Sequence, residues 1–206
     1  NEFIVDEQGF VGWIKEVNGS ELLILDMHHE QLLHQEAWGL RPRDVYQSLA
    51  LYALLDPDIH LVNLSGAAGS GKTILALAAA IEQTMVSKRY RRIIATRSVQ
   101  GLDQEIGFLP GTEAEKMEPW LGAITDNLEA LHMDDESTHG SVDYILQKVP
   151  LQFKSLNYIR GRSFQQSLIL IDECQNLTPH QMKTIITRAG NGSKVVCLGN
   201  LAQIDT

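Results

Sequence analysis

The octapeptide GAAGSGKT, Gly66 to Thr73, matches the phosphate-loop pattern G-x-x-x-x-G-K-[ST] at every defined position. The apolar run at residues 60–64 before it predicts a strand, and the alanine-rich run at residues 72–86 after it predicts a helix. Small residues at such a junction let backbone N–H groups wrap around a phosphate at the positive end of the helix. The stretch therefore predicts a site for a nucleoside triphosphate.

The loop also carries residues with specific chemical roles. Lys72 is expected to reach the β- and γ-phosphates, and the Thr73 hydroxyl to complete the oxygen shell of a magnesium ion. The alternative is a glycine-rich turn with an incidental lysine, and the strand-to-helix context argues against it. The predicted nucleotide-binding residues are Gly66, Ala67, Ala68, Gly69, Ser70, Gly71, Lys72, Thr73 and Ile74.

A second motif, LILIDE, ends an apolar run in two carboxylates. Ligands bind at the carboxyl ends of strands in open α/β sheets, so Asp172 and Glu173 should meet the phosphate loop. Asp172 is the expected magnesium ligand, through a water, and Glu173 the group that orients or deprotonates the attacking water. The alternative is an acidic entry to a turn or helix. With the first motif present, the pair favours hydrolysis.

A third motif, LGNLAQID, follows another apolar run and spans Leu198 to Asp205. Its predicted strand ends at the same sheet edge, so Gln203 is a candidate sensor of the γ-phosphate. A glutamine in a loop is also commonly just solvated, so this prediction depends on the neighbouring motifs.

Three arginines are candidates for contact with a polyanion. Arg97 follows the predicted strand RRIIAT at the same edge of the sheet, and Arg160 and Arg162 flank Gly161 in a short basic turn. Cations beside a nucleotide site are suited to nucleic-acid phosphates. An ordinary surface turn is the competing interpretation of the second pair.

The order of patterns predicts an α/β fold with a mainly parallel central sheet in three layers, of the P-loop NTPase type. An N-terminal β-hairpin is predicted over residues 10–27, with the turn at Asn18-Gly19. We place the hairpin and a polar linker in residues 1–37 and the ATPase domain in residues 38–206. Further strands are expected at 91–96, 151–158, 167–172 and 194–198, and helices at 42–55 (Pro42 in its first turn), 113–131 and from Thr178.

Composition narrows the class of protein. The 206 residues carry a net charge of −9 and a pI near 5.2, which argues against a surface that is wholly a nucleic-acid footprint. No apolar run is long enough to span a bilayer, and we expect no membrane association. Cys174 and Cys197 predict buried free thiols in a reducing compartment, hence a cytoplasmic protein.

With these residues the chain resembles the PhoH family, in particular the ATPase half of PIN–PhoH fusion proteins, from Trp38 to its end. The resemblance rests on the phosphate loop, TRSVQGLDQEIGFLPG (Thr96–Gly111), RGRS (Arg160–Ser163) and IDECQNLTPHQMKTIITRAGNGSK (Ile171–Lys194). It implies a RecA-like, superfamily 1 helicase-like core that hydrolyses ATP with magnesium. It also implies single-stranded RNA as partner, a homo-oligomer such as a hexamer, and a PIN nuclease domain before Asn1.

The resemblance also implies roles for individual residues. The phosphate loop is the Walker A motif and the acidic pair the Walker B motif. Gln175 would couple nucleotide to strand binding, Gln203 would sense the γ-phosphate, and Gln47 stands where such ATPases read adenine. Two positions depart from the family pattern, Asn200 where aspartate is usual and Ser98 where proline is usual. An arginine for transition-state charge would come from later in the chain or from a neighbouring subunit.

These observations favour an ATPase whose hydrolysis is coupled to RNA, with Lys72, Glu173 and Gln203 as its catalytic residues. A nucleotide-dependent interaction switch with slow hydrolysis and a protein partner is the alternative, and the acidic net charge favours it slightly. A small-molecule kinase is disfavoured by the Asp172-Glu173 pair and the third motif.

Overall fold

A computed structural model of the protein describes residues 2–98 and 148–203. It opens with an antiparallel sheet of β1 (Phe3–Val5), β2 (Val11–Asn18) and β3 (Glu21–Asp26), in the order β1-β2-β3. The turn between β2 and β3 places Gly19 at φ +60°, a conformation that glycine adopts without steric cost. The predicted hairpin is confirmed. Strand β1, which pairs Phe3 with Trp13, was not predicted.

The segment that follows contains two helices. A short helix, α1 (His29–Leu33), lies within the predicted polar linker because Leu32 is buried beside Leu49 of the next helix. That helix, α2 (Val45–Leu55), begins after Asp44, whose carboxylate accepts a hydrogen bond from the N–H of Gln47 at 2.8 Å. The predicted placement of Pro42 in the first turn is therefore wrong, because the cap at Asp44 sets the start of the helix.

The central sheet has five strands, all parallel, in the order β4-β8-β7-β5-β6. In chain order they are β4 (Leu61–Ser65), β5 (Arg92–Arg97), β6 (Leu151–Phe153), β7 (Ser167–Asp172) and β8 (Lys194–Gly199). Strands β7 and β8 are almost wholly buried, as continuous apolar runs in a parallel sheet are expected to be. Strand β8 lies between the strand before the phosphate loop and the strand before the acidic pair.

Helices cover both faces of this sheet, which confirms the predicted three layers. On one face lie α2 and α3 (Lys72–Ile81), and α3 continues as a π-helical turn, Glu82–Val86. On the other face lie α4 (Leu156–Arg160) and α5 (Pro179–Arg188). In the described ranges, 2–98 and 148–203, no helix is long and apolar enough to cross a bilayer. The helix predicted at residues 113–131 lies outside those ranges.

The start of α5 follows the sequence signature, whereas α4 contradicts it. Thr178 accepts a hydrogen bond from the N–H of Gln181 at 3.2 Å, and Gln181 accepts one from the N–H of Thr178 at 2.8 Å, forming the predicted capping box. The strand expected over 151–158 ends at Phe153 instead. Ser155 caps α4 by accepting from the N–H of Tyr158 at 3.2 Å, so the chain turns into a helix there.

Lys194, at the start of β8, is completely buried. Its ammonium group donates to the carbonyl oxygens of Ala53 (2.7 Å), Leu54 (2.6 Å) and Asp56 (2.9 Å) at the end of α2. Burial lowers the pKa of this lysine to about 8. The side chain satisfies carbonyl groups that the helix leaves without a partner, and so fixes α2 to the central sheet.

Candidate nucleotide site

A cavity of about 480 Å³ lies at the carboxyl edge of the central sheet. Residues 68–75, the acidic pair at the end of β7, and Gly199-Asn200 after β8 all line it. The first two motifs and the start of the third thus meet in one place. Among the predicted nucleotide-binding residues, Gly66 and Ala67 do not line this cavity and form the entrance to the loop.

The glycines of the loop give it its shape. Gly69 and Gly71 have φ angles of +77° and +87°, and Gly71 is the N-cap of α3. A Cβ atom at Gly71 would lie 3.2 Å from Nε2 of Gln47, so a side chain there would be both strained and crowded. The N–H of Gly66 donates to the carbonyl of Gly199 at 3.1 Å, which ties the start of the loop to the end of β8.

Lys72 lies folded over the loop that precedes it. Its Nζ donates to the carbonyl oxygens of Gly66 (2.5 Å) and Ala67 (2.7 Å) and to Oγ of Ser70 (3.3 Å). The ammonium group is therefore at the centre of the loop, where the β- and γ-phosphates of a triphosphate would compete with these oxygens for it. Contact of Lys72 with the β- and γ-phosphates stays a prediction.

Gln47 reaches the loop from α2. Its Nε2 donates to the carbonyl of Ser70 at 3.2 Å, and its Oε1 accepts from the N–H of Arg43 at 2.9 Å. Both Gln47 and Arg43 line the cavity. The amide is thus beside the phosphate loop, on the side of the cavity formed by α2, and its role in reading adenine stays a prediction.

Two oxygen donors suited to magnesium face the same cavity. Thr73 is the second residue of α3, and Asp172 is the last residue of β7. Hydroxyl and carboxylate oxygens beside phosphate are the donors that magnesium prefers, so these residues fit the ion implied by the fold. Oδ1 of Asp172 also accepts from the N–H of Glu173 at 3.0 Å, which fixes the turn that follows the strand.

Glu173 sits in a turn with a φ of +53°, between β7 and the short 3₁₀ helix Cys174–Asn176. Such a conformation is unfavourable for a residue with a side chain, and residues held in it concentrate at functional sites. Both carboxylate oxygens have partners. Oε1 lies 3.3 Å from Nη2 of Arg97, and Oε2 accepts from Nε2 of Gln175 at 2.5 Å.

The third motif connects to this carboxylate through Gln175. The N–H of Asn200 donates to Oε1 of Gln175 at 3.2 Å. The preceding residue, Gly199, packs closely on the same segment, because a Cβ there would lie 2.9 Å from Sγ of Cys174. Asn200 in turn accepts from the N–H of Ala202 at 3.1 Å, a turn contact that aspartate could equally make. Gln203 ends a 3₁₀ helix, Leu201–Gln203, but its side chain lies outside what the structure describes, so its sensor role remains a prediction.

The predicted arginines fall into two separate surroundings. Arg97 pairs with Glu173 and does not line the cavity. Arg160 ends α4, while Arg162 lies over the ring of Tyr158 at 4.4 Å. Lys154 lies over the same ring at 4.7 Å, so the segment around α4 gathers cations about an aromatic ring. Sequence reasoning missed Lys154 and Tyr158, because it expected a strand over 151–158 and Lys154 precedes the helix that Ser155 caps.

The two cysteines lie side by side although 23 positions separate Cys174 from Cys197. The neighbouring Cys197 thiol lowers the pKa of Cys174, while Cys174 and burial raise the pKa of Cys197, whose Sγ donates to Sδ of Met182 at 3.9 Å. Cys197 is buried as predicted, whereas Cys174 is only partly buried.

The chain is similar to a protein family and to several known proteins. The PhoH-like protein family matches residues 39–206. Protein PhoH2 of Bacillus subtilis is 46% identical over 172 residues, which cover 83% of this chain and 38% of the relative. Protein PhoH2 of Mycolicibacterium smegmatis has a sequence identity of 38%, with the same coverage of both chains. The chain thus spans about two fifths of the length of these relatives. Among solved structures, the UvsW helicase of Bacteriophage T4 has a TM-score of 0.48 at 16% identity, covering 84% of this chain and 59% of that one.

Proposed function

The chain belongs to the PhoH-like protein family, and on that premise we propose that it is an ATP-hydrolysing module whose turnover is coupled to single-stranded RNA. The observation that carries the proposal is the position of Glu173. This carboxylate lines the same cavity as Lys72 and follows directly on Asp172. A site that only holds a nucleotide has no need of a second carboxylate at that place.

The residues divide the work of hydrolysis. Thr73 and Asp172 would hold magnesium, which supplies charge neutralisation at the β- and γ-phosphate oxygens. Lys72 would exchange its contacts with the loop carbonyls for phosphate oxygens and stabilise the charge that develops there. Glu173 would orient the attacking water and accept its proton. Gln203 would respond to the γ-phosphate from the third motif.

RNA is proposed as the coupled ligand because of the cationic residues outside the cavity. Arg97 and the cluster around Tyr158, with Lys154 and Arg162, present positive charge on a chain that is acidic overall. Localised cations beside an aromatic ring suit the phosphates and bases of a single strand. Arg160 adds a further charge at the end of α4.

Three parts of the proposal concern the whole protein. We propose that it forms a homo-oligomer such as a hexamer, that a neighbouring subunit or a later arginine completes the transition-state charge, and that a PIN nuclease domain is fused to it. A mass measurement in solution tests the first. The free thiols of Cys174 and Cys197 support placing the protein in the cytoplasm.

The rival function is a nucleotide-dependent switch with slow hydrolysis and a protein partner. One observation favours it, namely that both oxygens of Glu173 are already engaged. The ATPase rate with and without single-stranded RNA separates the two. We expect stimulation by RNA, and loss of all turnover in Lys72→Met. Slow hydrolysis that no nucleic acid accelerates would support the switch instead.

A further inference from the structure

The candidate catalytic carboxylate, Glu173, is paired with a cation that does not line the cavity. Arg97 and Asp172 are register partners on the neighbouring strands β5 and β7, so both strands end at the same level of the sheet. Glu173, the next residue, lines the cavity with part of its surface. One of its carboxylate oxygens, Oε1, faces Arg97. Arg97 itself does not line the cavity. Glu173 therefore stands between the nucleotide site and a guanidinium group on the outer side.

This ion pair is accessible and weak enough to exchange. The side chains of Arg97 and Glu173 remain 37% and 27% exposed, and their closest atoms are 3.3 Å apart. Ion pairs with this much exposure contribute little net stability because water screens them. A phosphodiester group offers the same guanidinium a charge-assisted contact of matching geometry. An RNA strand that passes Glu173 on the side of Arg97 can thus bind Arg97 through a phosphate group and break the ion pair.

We propose that Arg97 is a positioning residue that restrains Glu173 when no RNA is bound. A phosphodiester group of single-stranded RNA then releases this restraint by binding Arg97. Glu173 then turns toward the water it activates, while Gln175 continues to donate its hydrogen bond to Oε2. The left-handed backbone at Glu173 fits a switch, since strained residues are found where two arrangements compete. The inference rests on the proposed function and adds its mode of regulation.

The restraint predicts an unusual effect of removing a positive charge. Arg97→Ala should raise the RNA-free ATPase rate by about two- to fivefold, the range that an exposed ion pair can hold back. The same variant should reduce the stimulation by RNA, with the KM for ATP unchanged. A residue that served only to bind RNA would leave the RNA-free rate unaltered, and one needed only for structure would lower it.

The experiment measures steady-state ATP hydrolysis at saturating ATP and magnesium, with and without a single-stranded RNA oligonucleotide. Arg97→Lys, which retains the charge without the fork of donors, should give an RNA-free rate between those of the wild type and Arg97→Ala. Arg188→Ala is the matched control, because it removes one positive charge from the exposed end of α5. Arg97→Gln replaces Arg97→Ala should the latter lose its cooperative thermal unfolding transition.

Different outcomes would contradict the restraint by Arg97 and the proposed ATPase function. If the wild type hydrolyses ATP and Arg97→Ala leaves the RNA-free rate unchanged or lower, the restraint is wrong and the ATPase assignment stands. If single-stranded DNA stimulates and RNA does not, the proposed ligand is wrong. If the wild type hydrolyses no ATP under any condition, both proposals fall together.

Discussion

Gln175, two residues after Glu173 in the chain, donates a hydrogen bond from Nε2 to Oε2 of Glu173 at 2.5 Å. Its Oε1 accepts at the same time from the N–H of Asn200, on the segment after β8. One amide therefore joins the candidate base to the third motif. The side-chain amide can make this link because it carries both a donor and an acceptor.

Replacing Gln175 tests the importance of that link. In Gln175→Ala, Glu173 loses the contact that we expect to position it once RNA has engaged Arg97. The RNA-stimulated kcat should fall by about tenfold, because small errors in the placement of a catalytic group are costly. The KM for ATP should remain close to the wild-type value. Gln152→Ala, at an exposed position of β6, serves as the control, and a wild-type kcat in Gln175→Ala would show that the link is dispensable.

Glu173→Gln isolates the role of the carboxylate. The amide has nearly the same shape but cannot accept the proton of the attacking water, so kcat should fall by about 10²–10⁴-fold. Nucleotide affinity should be retained, because Lys72 and the loop are unchanged, and the variant should trap bound ATP. Stopped-flow binding of a fluorescent ATP analogue and single-turnover hydrolysis measure the two effects. Hydrolysis at the wild-type rate would mean that another group is the base.

Gly71→Ala tests the backbone of the phosphate loop. A side chain at φ +87° costs about 1–2 kcal/mol of stability, and the added Cβ would also crowd Nε2 of Gln47. Gly161→Ala is the matched control, since Gly161 has a φ of −81° and an added Cβ would meet only ordinary contacts at 3.6 Å or more. Urea unfolding of both variants should show a loss of stability in the first alone. Equal stability would mean that the loop relaxes to accommodate the side chain.

Lys194 should give stability a characteristic dependence on pH. Its pKa is about 8 in the folded protein and 10.5 ordinarily, so between these values the unfolded chain binds a proton that the folded chain does not. The contribution of this group to the unfolding free energy therefore rises with pH through that window. Between pH 7.5 and 9.5 the wild type should gain about 1–2 kcal/mol relative to Lys194→Met. Parallel pH profiles for the two proteins would show that Lys194 does not titrate in this range.

Much of the site could be predicted from the sequence because its determinants are local. The phosphate loop requires small residues and a lysine at fixed spacing, and the acidic pair requires an apolar strand directly before it. The capping box at Thr178 is local in the same sense. Where local signals are short, prediction failed. Strand β1 has three residues, too few to show an alternation, and the apolar residues of 151–158 fit a strand as well as the helix that Ser155 caps.

The sequence by itself determined that a triphosphate loop and two carboxylates exist, and that strands and helices alternate. Only the tertiary structure decided that β8 lies between their strands, that Arg97 meets Glu173 from outside the cavity, and that Gln175 reaches Asn200. It also decided that Lys194 caps a helix about 140 residues earlier in the chain. The physical reason is that such contacts depend on strand order and side-chain reach, whereas periodicity and spacing describe only neighbours along the chain.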